Sequence, residues 1–149
     1  MRKLKVIYYL TVITSALVGL WHFFVPLMFQ WYDYLPTQYE NLIVGIDYTN
    51  YCFSALLFGL SLLLVILGRK ALNLNTEVVI FYSFLTAVWV VRALLASFIE
   101  PWPLEPIPAA AVGQLVAADV LAVLMVFVSI SFWITIKRTK NKAASDLQG

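Results

Sequence analysis

Charge is scarce in this chain. Asp, Glu, Lys and Arg make up 12% of 149 residues, against roughly 25% in an ordinary soluble domain, while 62% are hydrophobic and the mean hydropathy is +0.88. Such a composition excludes a soluble globular protein. Cysteine is reduced to Cys52, which excludes an intramolecular disulfide and a CxxC redox pair and leaves a small packing residue as its first reading. Histidine is reduced to His22, so a zinc site with three or four nitrogen, sulfur or carboxylate ligands has no close-spaced motif such as HExxH to rest on, and haem has no second imidazole. The serines stand outside any GxSxG elbow, which removes the signature of nucleophilic catalysis. Glycine-rich phosphate loops, internal repeats and low-complexity tracts are missing as well.

What fills the chain is apolar. Hydrophobic runs long enough to span a hydrocarbon layer of about 30 Å lie near residues 5–28, 47–67, 75–99 and 109–136, and predict an all-α, four-helix transmembrane bundle over residues 1–136 followed by a polar tail, 137–149. The start "MRKLK" is basic, but its apolar core is too long for a signal peptide and runs into "FFVPLMFQWYDYLP" with no small-residue cleavage site, so it reads as the first helix.

Arg2, Lys3 and Lys5, then Arg69 and Lys70, then Lys137, Arg138, Lys140 and Lys142 occupy the N-terminus, the second connection and the tail. The other two connections carry Asp33, Glu40, Asp47, Glu100 and Glu105 and no Lys or Arg. By the positive-inside rule both termini are expected in the cytoplasm, of a bacterial-type inner membrane. The net charge of +2 is therefore a topology signal that also suits anionic head groups, and does not indicate a nucleic-acid partner. Gly68, Arg69, Lys70 and Asn73 predict a short inner turn. The first outer loop, about 30–46, is aromatic and suits the membrane interface. The second, "EPWPLEPIP", must stop the third helix near Glu100, because proline bars the helical region to the residue before it.

In so apolar a chain the polar residues at depth carry the information. Helical periodicity puts Tyr8, Thr11, Ser15 and His22 on one face of the first helix, and Asp47, Asn50, Tyr51, Ser54 and Ser61 on one face of the second. Tyr82, Thr86 and Trp89 form a stripe on the third with Arg92 on its flank, and the fourth offers Gln114 and Asp119. A charge near the bilayer centre costs about 2.5–3.5 kcal/mol even on lenient scales. Arg92 and Asp119, at similar depths, are accordingly expected to pair, either to fix packing or to line a ligand or proton site with His22. Gly113 with Ala117, and Ala118 with Ala122, are small-xxx-small spacings that permit close helix approach.

The segment "LVGLWHFFVPLMFQWYDYLP" resembles the first helix of the DoxX-like family of small four-helix membrane proteins, on Gly19, His22, Phe23, Pro26, Trp31, Leu35 and Pro36. The resemblance covers about the first third of the chain. The second helix shows "GIDYTNYC" where Gly-Glu is expected. It implies a four-helix bundle and an association with membrane redox work, including quinone-linked complexes and thiol-related partners, and it carries over His22 alone, with no catalytic residue.

The expectation is an outward-opening polar pocket that binds a quinone-like or lipid-like molecule, or that serves a membrane redox complex. His22, Asn50, Arg92 and Asp119 form its polar end, and Tyr51 and Trp89, with Trp21 and Phe53, its walls. Its partners are membrane lipid and other membrane subunits or further copies of the chain. The rival expectation is a purely structural subunit of a larger assembly, with no ligand of its own.

Overall fold

The computed structural model describes residues 2–35, 38–99 and 108–146, the side chains of 108–111 excepted, and no strand occurs among the described residues. Among the described residues, seven α-helices follow in order: α1 (Arg2–His22), α2 (Val25–Met28), α3 (Trp31–Tyr34), α4 (Glu40–Ile66), α5 (Gly68–Leu72), α6 (Thr76–Leu94) and α7 (Pro108–Asp146). A π-helical turn, Leu95–Ile99, continues α6. Among the described residues, four spans, Arg2–His22, Glu40–Ile66, Thr76–Ile99 and Val112–Asp146, are long and apolar enough to cross a membrane. Helix is the form such sequences must take in hydrocarbon, where every backbone group has to be satisfied within the chain.

The surface is far more apolar than that of a water-soluble protein, and the largely apolar core also takes in small hydroxyls. Thr11, Ser15, Ser54 and Ser61 are fully buried, while Leu56, Phe98 and Val123 are 73%, 79% and 68% exposed. Soluble folds hide Leu and show Ser; here lipid is the fitting neighbour for the outer surface.

The main helices pack in two pairs, α1 on α4 and α6 on α7, with α1 also against α7 and α4 against α6. Tyr8, Tyr82 and Phe132 bring α1, α6 and α7 together in a ring cluster with centroids 5.1 to 5.9 Å apart. α1 and α4 approach closely at Gly19. A Cβ built on Gly19 would lie 2.6 Å from the backbone nitrogen of Phe58 and 2.9 Å from its Cα.

Three helix limits differ from the sequence expectation. α1 ends at His22 instead of near 28; α4 begins at Glu40 instead of 47; and α7 runs on to Asp146 instead of stopping at 136. Hydropathy marks where the chain is apolar, and the exposed stretch from Lys137 to Asp146 is polar but rich in good helix formers. At about 1.5 Å per residue, α7 is roughly 58 Å long, far more than hydrocarbon thickness requires. The expected proline-rich loop from Glu100, with Trp102 and Glu105, lies outside the described residues.

Because the four main helices alternate in direction, the N-terminus of α1, the α5 turn and the C-terminal part of α7 share one end. Every Lys and Arg except Arg92 lies at this basic end. α5 closes with Leu74 in the left-handed region, φ 62°, and α6 restarts behind Asn75, whose side-chain oxygen accepts a 3.1 Å hydrogen bond from the Val78 amide.

Candidate functional site

The polar face of α1 becomes a ladder of contacts through the bundle. Nearest the basic end, the Tyr8 hydroxyl donates to the Leu64 carbonyl at 2.8 Å. One turn on, Thr11 and Tyr82 hydroxyls meet at 3.0 Å. Ser15 and Ser61 meet at 2.7 Å, and the Trp89 indole N–H donates to the Ser15 hydroxyl at 2.8 Å. Three helices are thereby joined at one level. The last rung is His22, whose Nε2 lies 2.9 Å from Arg92 Nη1.

The chemistry of this rung follows from its donors. Arginine has only donors, so Nε2 of His22 must accept. Its other nitrogen, Nδ1, then carries the proton and donates to the Val18 carbonyl at 3.1 Å. His22 is therefore held as the neutral Nδ1–H tautomer with both nitrogens occupied, one of them against Arg92. The guanidinium also stands over the Trp89 ring, 5.4 Å from its centroid, a placement that favours a cation.

Pro26 explains why Asn50 is there. A helix would bond the N–H of residue 26 to the carbonyl of residue 22, and proline has no N–H. The helix breaks after His22, and the Asn50 amide supplies the missing donor to the His22 carbonyl at 3.1 Å. The imidazole is fixed further by Trp21, edge-on at 5.4 Å, and Phe53 at 5.8 Å. Backbone and ring of one residue are thus held from α4 and α6 at once.

Beside this rung lies an open apolar groove of about 590 Å³ along the N-terminal part of α4, away from the basic end, lined by Trp31 from α3 and by Leu42, Ile46 and Thr49, with Asn50 and Phe53 at the end nearer His22. Its size is that of a small-molecule site. Asn50 and Phe53 both contact His22.

Of the expected site residues, His22, Asn50, Trp89 and Arg92 are brought together. Tyr51 is not in the cluster: one position beyond Asn50 is about 100° round the helix, and its ring stacks on Phe23 at 6.2 Å. Asp119 does not pair with Arg92. It accepts from the Ser97 hydroxyl at 3.3 and 3.4 Å, inside the π-helical turn, and equal depth on two helices does not settle which way each side chain faces. Gln114 Nε2, also on α7, is buried with no hydrogen-bond partner among the described residues. The roles of Pro26 and Gly19 were missed, although a proline four residues after a histidine and the Ser15–Gly19 small-xxx-small spacing both stand in the sequence. Cys52 is exposed, and no group of His, Cys, Asp and Glu able to hold a metal ion occurs among the described residues.

Between α3 and α4, the Tyr32 hydroxyl donates to Asp47 Oδ1 at 2.7 Å. This bond, with lesser help from burial and the carboxylate's charge, pushes the Tyr32 phenol up from 10 to about 12. A raised folded-state value means that the bond's contribution to stability is complete below pH 10 and lost as the pH rises through about 12. Ultraviolet difference titration of wild type against Tyr32→Phe should show this phenolate appearing near pH 12, and Asp47→Asn should return it toward 10; ionisation near 10 in the wild type would contradict the assignment.

Compared with protein-family models, with curated proteins and with solved structures, the chain matches none.

Proposed function

We propose that this chain is a multi-pass inner-membrane protein, with both termini cytoplasmic, that binds an amphiphile with a hydrogen-bond-accepting head and a long apolar tail, of the quinone or lipid class. The observation that carries this reading is the groove ending on Asn50 and Phe53, both of which contact His22, the hydrogen-bond partner of Arg92. The tail lies along Leu42 and Ile46, flanked by Trp31. The head turns in past Asn50 toward Arg92, which has one hydrogen-bond partner, His22, among the described residues and five N–H donors in all. The distribution of Lys and Arg supports the orientation, and the DoxX-like resemblance at Gly19 and His22 belongs to the same reading, as does any service to a redox complex.

A second reading is favoured by the ladder itself: its members satisfy one another within the chain, as they would in a subunit that only holds its shape inside a larger assembly. Fluorescence separates the two. Decylubiquinone, or a phosphatidylcholine bearing a nitroxide on its acyl chain, should quench the full-length protein saturably, and Trp31→Phe should remove most of the effect. Whichever probe saturates identifies the class. Linear quenching by both, unchanged in Trp31→Phe, would overturn the ligand reading.

A further inference from the structure

At the end of the molecule opposite the groove, α1, α7 and the turn after α5 enclose a second crevice, of about 270 Å³. Its walls are Leu4, Leu72 and Leu74, its floor is the fully buried Phe132, and Thr135 lies at its side. Arg2 and Lys5 stand at its rim, and both are exposed. The volume is below the roughly 300–1,000 Å³ of sites that enclose a whole ligand, and suits a length of acyl chain whose remainder stays in the bilayer.

Two features set this crevice apart from ordinary surface. The first is charge: it lies at the basic end, among Arg69, Lys70, Lys137 and Arg138, with Glu77 and Asp146 the acidic residues of that end. The second is Leu74. The Asn75 amide bonds back to the Lys70 carbonyl at 3.0 Å, which closes α5 in the manner of a helix end that normally places glycine in the left-handed position. Leucine stands there instead, at φ 62°, against a steric cost that glycine would not bear. What leucine adds at that position is apolar surface on the crevice wall.

We propose that this crevice is a binding site for an anionic glycerophospholipid, with the acyl chain against Leu74 and Phe132 and the phosphate between Arg2 and Lys5. It goes beyond the outer groove and shares no residue with it. Basic pockets between membrane helices are suited to such head groups, at about 1 kcal/mol per Lys or Arg near the surface.

The test is native mass spectrometry of the full chain released from mixed micelles containing phosphatidylglycerol and phosphatidylcholine with identical acyl chains. The wild type is expected to retain phosphatidylglycerol preferentially. Arg2→Gln with Lys5→Gln should weaken that preference on the order of thirtyfold, given about fivefold per cation. Leu74→Gly, which fits the left-handed backbone and so keeps the turn, should lower retention of both lipids. Lys140→Gln with Lys142→Gln removes the same charge from the exposed part of α7, outside the crevice, and should leave the preference intact. Equal retention of the two lipids, an equal loss in the Lys140 and Lys142 variant, or displacement of the lipid by millimolar inorganic phosphate would each overturn the proposal. None of these outcomes touches Trp31 or Arg92, so the outer groove stands or falls separately.

Discussion

Gly19→Val should destabilise the folded bundle by roughly 3 kcal/mol, the upper range for overpacking. The obstacle is backbone: even a methyl group at position 19 would meet the Phe58 nitrogen at 2.6 Å, and no rotamer change can move it aside. α1 and α4 must separate, and the separation propagates. Ser15 and Ser61, one turn away, are bonded across the same interface at 2.7 Å, and Asn50 reaches across it to the His22 carbonyl. Gly59→Ala is the matched control, because a Cβ at Gly59 meets nothing within 4 Å; alanine there should be neutral or stabilising by up to about 1 kcal/mol. Unfolding in mixed detergent–SDS micelles, followed by circular dichroism, reads both. Equal behaviour of the two variants would contradict the close α1–α4 contact.

The same residue shows what was legible in the sequence and what was not. Composition and run length point to four spanning helices, because hydrocarbon leaves a chain few alternatives. The polar face of α1 was legible too: Tyr8, Thr11, Ser15 and His22 recur at helical spacing, and each has a partner on another helix. Periodicity gives direction relative to the same helix only. It does not say how α6 and α7 are rotated against each other, so Arg92 and Asp119 looked like partners by depth while Arg92 turns to His22 and Asp119 to Ser97. Tyr51 was placed with Asn50 for a similar reason. The break after His22 was missed because "FFVPLM" is apolar throughout, and hydropathy does not register that Pro26 removes one N–H.

Replacing Arg92 and His22 together, as Arg92→Leu with His22→Phe, should weaken binding of the outer-groove ligand by about tenfold to a hundredfold, as expected for losing a charge-assisted hydrogen bond of about 1.5–3 kcal/mol. Fold stability should change little. Removing one partner of a buried polar pair leaves the other unsatisfied, whereas replacing both by apolar groups is nearly neutral, and the variant also takes a charge out of the membrane interior. Here the two readings of the cluster diverge. If His22 and Arg92 serve a ligand, the double variant folds and does not bind. If they serve only to hold the bundle in register, it loses stability or assembly, and the groove is incidental.

The most direct measurement of the central claim is photolabelling in nanodiscs with a short-chain quinone and a phospholipid that carry the same diazirine, with adducts located by peptide mass spectrometry. Labelling by one of the two is expected to concentrate on Trp31 and residues 42–53, and to be lost in the Arg92 and His22 double variant. Labelling by both spread over the exposed faces, on Leu17, Leu56, Phe84 and Val123 in proportion to their exposure, and unchanged in that variant, would contradict the claim.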